Sequence, residues 1–281
     1  MHLFLIAVGV TNSATDASST GDPTFPLWVI AVGFALLLSF YGWLGARSSS
    51  HAVLTAQPFG IPDIFCASVL ALWMISVIAQ SLNAHESISL KAIIANSLFY
   101  ICLIMGIFGV IGFQGKSAIS IFQLKPSRFP KAAGWGLLWL LITYPLILGA
   151  QGLVQRIFGS ADDSQLIVKY FLEHPDLRHR ASVIFMAVIL APVAEEVIFR
   201  GYFYGVIRKY GGRIPAITIS SLLFAAIHVH FPSLLGLGIL AVILCLLYER
   251  TGSLWASITM HAAFNASTIM ALILWPEAIS R

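Results

Sequence analysis

The sequence predicts an all-α fold, a polytopic transmembrane bundle of about eight helices, on two observations. Of 281 residues, 58% are hydrophobic and only 10% are charged, against about 25% charged in ordinary soluble domains. A soluble fold of this size could not cover its surface with so few charges. The apolar residues also fall in runs of roughly 17 to 25, the length that crosses a hydrocarbon core about 30 Å thick.

Taken in order, the chain opens on a short apolar run, Leu3 to Val10, followed by a polar stretch, Thr11 to Asp22. No Lys or Arg precedes Leu3, so the basic n-region of a signal peptide is missing. Residues 1–25 are therefore read as a retained, poorly ordered segment. Eight spans follow: Pro26–Ala46, Asp63–Leu82, Ala92–Phe113, Ala133–Val154, Ser182–Ile207, Ile214–Val229, Pro232–Tyr248 and Ser253–Trp275. They divide the chain into residues 26–155 with four spans, a loop at 156–181, and residues 182–275 with the other four. Within the loop, Gln165–Leu172 is apolar with Lys169 inserted. Two readings stand: an amphipathic helix on the membrane surface, or a cap packed on the fourth and fifth spans.

Loop charge orients the bundle. Arg47, Lys116, Lys125, Arg128, Lys131, Arg208, Lys209, Arg213 and Arg250 fall in alternate loops, while Lys91, Arg156, Lys169, Arg178, Arg180 and Arg281 fall in the opposite ones. By the positive-inside rule this bias puts both termini outside the cytoplasm of a multi-pass protein of the plasma or inner membrane. The net charge of +4 thus serves topology and does not point to nucleic acid. Cys66, Cys102 and Cys245 lie in apolar runs without CxxC spacing and read as buried small hydrophobes. No inverted repeat of the kind that marks many transporters is visible.

The first four spans carry only Ser, Asn, Gln and Thr as polar content, and Asp63 is expected to be solvated at an interface. The last four differ. Glu195, Glu196, Arg200, His228 and His261 interrupt apolar runs, and each charge at mid-membrane costs roughly 2.5–3.5 kcal/mol on the insertion scale. Such residues face a bundle interior or a wet cavity and mark function. Glu196 and Arg200 share a helix face at i,i+4, whereas Glu195 points about 140° away from Arg200 on the same wheel. A carboxylate matched by Arg stays ionised; one left in an apolar pocket suits acid–base work. Pro192 is expected to kink this helix one turn earlier. Phe224 and His228 also share a face, and His230 reads as interfacial. His261 and Asn265, again i,i+4, both present N–H donors to one spot, as an oxyanion requires. Taken singly, each set also fits a plain structural role: an ion pair locking helices, a hydrogen-bonded core histidine, an interhelical polar pair.

The succession EExxxR, FxxxH, HxxxN resembles the CPBP family, the CAAX prenyl endopeptidase and bacteriocin-processing membrane proteins also called the ABI family. The resemblance covers about Ser182 to Trp275, with Glu195, Glu196, Arg200, Phe224, His228, His261 and Asn265 matching every core motif position. It implies an intramembrane endopeptidase acting on a peptide or membrane-protein substrate. No GxSxG elbow, GxGD-like motif or HExxH helix is present, so by elimination the nucleophile is water. Glu195 would take its proton, His228 would orient it, His261 and Asn265 would hold the oxyanion, and Glu196 with Arg200 would brace the site; the resemblance implies the same roles. A zinc site of Glu195, His228 and His261 is the alternative, the metal-free version being favoured because Asn ligates zinc poorly. Two non-enzymatic readings remain: a peptide- or bacteriocin-binding immunity protein, and a proton-coupled carrier.

Overall fold

A computed structural model describes residues 58–81, 88–158 and 166–275. The expected N-terminal segment and first span, Pro26–Ala46, lie outside the described residues.

The described chain is helical throughout, without a strand. Its main elements are α1 (Ile61–Ser81), α2 (Leu90–Phe113), α3 (Phe129–Phe158), α4 (Leu166–Glu173), α5 (Leu177–Gly211), α6 (Arg213–Ala226), α7 (Phe231–Thr251) and α8 (Leu254–Leu274). One helical turn, Ala118–Ile121, and a 3-10 turn, Pro126–Arg128, lead into α3. Starts and stops follow local chemistry. The Ser89 hydroxyl caps α2 by accepting from the Ala92 N–H at 3.2 Å, and Asp176 caps α5 by accepting from the His179 N–H at 3.2 Å. A second bond, from the His179 ring, holds the Asp176 carboxyl below the usual carboxylate range. Gly252, at φ 66°, takes the left-handed position that ends α7.

The all-α expectation is borne out, and the protein is an integral, multi-pass membrane protein. Six described stretches are long and apolar enough to cross a membrane: α1, α2, Ala118–Val154, α5, Pro232–Thr251 of α7, and α8. The sixth expected span, Ile214–Val229, is instead a helix of 14 residues that stops at Ala226. At 1.5 Å per residue it is about 21 Å long, short of the hydrocarbon core. His228 therefore sits in the turn after α6 and not on its face.

α5 and α7 are the most buried of the long helices; α1, α2 and α3 show exposed apolar side chains such as Phe65, Leu72, Met105 and Leu141. α3 runs against α7 and α8. A Cβ on Gly136 would stand 2.5 Å from the Ala256 carbonyl, so a glycine is needed where α3 and α8 touch. α4 buries Ile167, Tyr170 and Phe171 against Ile93 of α2, Val183 and Met186 of α5, and Leu272 of α8. The apolar face of this loop helix thus packs on the bundle, though on α2, α5 and α8 where the fourth span had been expected.

Two polar knots pin α5 at its far end. Glu249 of α7 accepts from Tyr204, from Arg208 at 2.5 Å and from Arg213 Nε at 2.8 Å. Asp63 is buried, contrary to the expectation of solvation. It accepts from the Gly60 N–H at 2.6 Å, from Gln114 at 2.9 Å and from the Tyr202 hydroxyl at 3.4 Å. A carboxylate with three donors no longer needs water.

Candidate active site

The carboxylates stand in a short α-helical piece of α5, Ala191–Glu196, flanked by π-helical turns Phe185–Leu190 and Val197–Phe203. Pro192, expected to kink the helix, is accommodated by a change of register. The Ala191 N–H bonds to the Met186 carbonyl five residues back, in the wide π turn often found at functional sites.

Glu196 and Arg200 pair as their spacing predicts, Arg200 Nη1 donating to Glu196 Oε1 at 2.8 Å, with neither side chain exposed. Two further contacts hold the guanidinium, although its buried Nε makes no hydrogen bond. Arg200 Nη2 donates to the Ala241 carbonyl of α7 at 3.0 Å, and its plane lies over the Phe224 ring of α6, 4.4 Å from the centroid. Phe224 of the FxxxH pair thus faces three members of the site: Arg200, the His228 ring at 4.9 Å and the His261 ring at 5.5 Å.

His261 Nδ1 lies 3.0 Å from Glu196 Oε1 and its Nε2 lies 3.8 Å from Glu195 Oε2. The first is a hydrogen bond, so Nδ1 carries a proton; the second is an ion-pair separation only. For Nε2 to donate as well, the ring must be the imidazolium, with one carboxylate at each nitrogen. His228 Nδ1 lies 2.7 Å from the Phe224 carbonyl. A carbonyl cannot donate, so Nδ1 holds a hydrogen, and in the neutral ring Nε2 then carries the lone pair. The next residue, Val229, sits at φ 42°, an outlier for a β-branched residue and the kind of strain that collects at active sites. Both imidazoles come close enough to interact electrostatically with the Glu195 carboxylate.

Two expectations need correction. Glu195 is buried, yet its pocket is not purely apolar: the Tyr100 hydroxyl of α2 donates to its Oε1 at 2.8 Å. His261 and Asn265 do not point at one spot. Asn265 Nδ2 donates to the Ala187 carbonyl of α5 at 2.8 Å, while His261 faces the two carboxylates. His230 Nδ1 lies 2.7 Å from Ser233 Oγ, beside the start of α7.

Tyr100 is the residue that the sequence reading missed. It lies in the first half of the molecule, where polar content looked chemically idle, and a tyrosine within an apolar run carries no motif. Replacing Tyr100 by Phe removes one hydrogen bond to a charged acceptor, worth about 1.5–3 kcal/mol. A fall in activity of about tenfold, with a modest drop in melting temperature, is the expected result in a hydrolysis assay run beside a thermal melt.

Among the described residues no three His, Cys, Asp or Glu side chains group in the manner of a metal site. Nδ1 of His228 and of His261 is engaged by the protein, so Nε2 is the ring atom each would offer to water, substrate or a metal.

The fold and the centre together define a class: a polytopic helical membrane protein that buries an acid–imidazole site between its helices. Residues 178–267 match the family model described as Type II CAAX prenyl endopeptidase Rce1-like. That match contains all seven motif positions, and it bears out the resemblance they carry. The chain is 26% identical over 144 residues to the protein named "Putative membrane peptidase YdiL" from Bacillus subtilis (strain 168), covering 49% of this chain and 57% of that one. It is 30% identical over 156 residues to "Membrane-embedded CAAX protease MroQ" from Staphylococcus aureus (strain USA300), covering 51% of this chain and 61% of that one. The chain therefore spans about three fifths of the curated relatives it matches. No solved structure matches it.

Proposed function

We propose that the protein is an intramembrane endopeptidase that hydrolyses a peptide bond with a water activated by Glu195. The observation that carries this reading is the approach of His261 on α8 to within 3.8 Å of the buried Glu195 carboxylate on α5, with half-buried His228 against the same Phe224 ring as His261, inside the stretch that matches the family.

Glu195 takes a proton from water, and the hydroxide adds to the scissile carbonyl carbon. His228 Nε2, left with its lone pair by the bond from Nδ1 to Phe224, accepts a hydrogen bond from that water and orients it. His261, as the imidazolium, donates from Nε2 to the tetrahedral oxyanion. In the resting site two carboxylates stand against two cations, Arg200 and His261; in the intermediate the oxyanion takes over the charge that Glu195 has given up, and the cluster balances in both states. Collapse of the intermediate breaks the C–N bond, and Glu195 returns its proton to the leaving amine. Glu196 acts at one remove: it links Arg200 to His261 and fixes the ring between the two carboxylates. Asn265 has one amide hydrogen engaged by Ala187, so only the other is available to substrate.

No step here runs through a metal. Activity of the purified protein is expected to survive exhaustive chelation, with metal analysis of the same sample showing no stoichiometric zinc; loss on chelation with recovery on zinc would overturn the metal-free mechanism. The substrate class is a polypeptide at the membrane, with a prenylated C-terminal tail as one member, since a relative's name carries the CAAX term. A comparison of membrane peptidomes from cells holding the wild-type protein or Glu195→Gln tests the reading. At least one polypeptide should lose its trimmed form in the variant. Unchanged peptidomes with a retained phenotype would instead identify a peptide- or bacteriocin-binding protein without turnover.

A further inference from the structure

We infer that Asn265 is a positioning residue that supplies the hydrogen bond Pro192 takes away, and so clamps the carboxylate-bearing turn of α5 to α8. In an α-helix the Ala187 carbonyl would accept from the N–H of residue 191. That N–H is already bonded to Met186, five residues back. In the π register the donor would be residue 192, which is proline and has no N–H. The Ala187 carbonyl, on a residue that is buried, is thereby left without either main-chain donor, and a buried orphan carbonyl is costly.

Asn265 Nδ2 fills the place at 2.8 Å. Because a carbonyl accepts only, the amide nitrogen must face Ala187 and Oδ1 must face away, which fixes the orientation of the side chain. Ala187 stands about two turns before Glu195, and Asn265 stands one turn beyond His261 on α8. The bond therefore joins the two helices whose side chains meet 3.8 Å apart at Glu195 and His261. π register, proline and asparagine form one device: the proline keeps a carbonyl open, and the neighbouring helix closes it.

Part of this inference, the effect on turnover, rests on the peptidase reading; the effect on stability does not. The experiment is a double-mutant cycle on the full chain in detergent, with thermal unfolding of the substrate-free protein and hydrolysis both measured for wild type, Asn265→Ala, Pro192→Ala and the double variant. Asn265→Ala alone is expected to lower the melting temperature by several degrees and kcat by more than tenfold. With alanine at position 192 a main-chain N–H returns, and the same Asn265→Ala change should then cost less than half as much in melting temperature. Equal losses in both backgrounds, or no loss in either, would overturn the clamp. A residue whose whole role is to hold an oxyanion would not move the stability of substrate-free protein. Should Pro192→Ala fail to accumulate, Asn265→Leu serves as the second variant: it keeps nearly the size but offers no donor in any protonation state, and it should melt with Asn265→Ala. A melting temperature equal to wild type would overturn the proposal. Failure of the peptidase reading would show separately, as no hydrolysis by the wild type while the melting temperatures still follow the cycle.

Discussion

Glu195→Gln is expected to remove turnover while leaving the protein folded. Loss of a general base costs about 10²–10⁴-fold in rate, and Gln cannot accept the proton of water. It can still accept the bond from Tyr100, which lies 2.8 Å from Oε1, so the buried phenol keeps its partner and the helices keep their spacing. Hydrolysis of a peptide in proteoliposomes, run beside a thermal melt, checks both halves. Activity within tenfold of wild type would exclude Glu195 as the base. Glu195→Ala is the instructive contrast, because it orphans the Tyr100 hydroxyl and adds about 1–3 kcal/mol of destabilisation. The melting temperature therefore separates the two substitutions even though both abolish turnover.

Much of this centre was legible because ionisable residues within apolar runs are too costly to be incidental. The spacing of Glu196 and Arg200 foretold their pairing, and the wheel placed Glu195 outside it; both hold at 2.8 Å and in the separate Tyr100 bond. Helical periodicity could not foretell the π turns, because a register change of one residue leaves no mark on hydropathy. The register change beside Pro192 was hidden for that reason, and with it the separate targets of His261 and Asn265. Asn265 faces a carbonyl whose openness depends on the backbone register of another helix, information that no i,i+4 pattern on α8 contains. Asp63 and Tyr100 were misjudged for a related reason. Their importance comes from partners far along the chain, Gln114 and Tyr202 for one and Glu195 for the other. The sixth span was misjudged in length, since the apolar run continues through Ile227 and Val229 while the helix stops at Ala226. The turn created there is what brings His228 to the site.

Arg200→Met is expected to be the most damaging substitution to the fold. The guanidinium holds Glu196 at 2.8 Å, the Ala241 carbonyl at 3.0 Å and the Phe224 face at 4.4 Å, and so ties α5 to α7 and α6 at once. Its removal leaves a buried carboxylate without its cation, which costs about 3–5 kcal/mol. For a membrane protein of marginal stability that is enough to prevent accumulation. Arg200→Lys should also fail, because one ammonium cannot reproduce a planar fork that donates in two directions and stacks on a ring. The double change Glu196→Gln with Arg200→Met separates folding from chemistry. Taking both charges out together relieves the unpaired ion and should restore most of the melting temperature, since a buried pair is often no more stable than a neutral replacement of the same shape. Turnover should not return, because His261 Nδ1 would then face a neutral amide in place of the carboxylate at 3.0 Å, and the charge-assisted bond that fixes the ring would be gone. Recovery of activity along with stability would show that the pair acts only as a structural tie, with no part in holding His261 for catalysis.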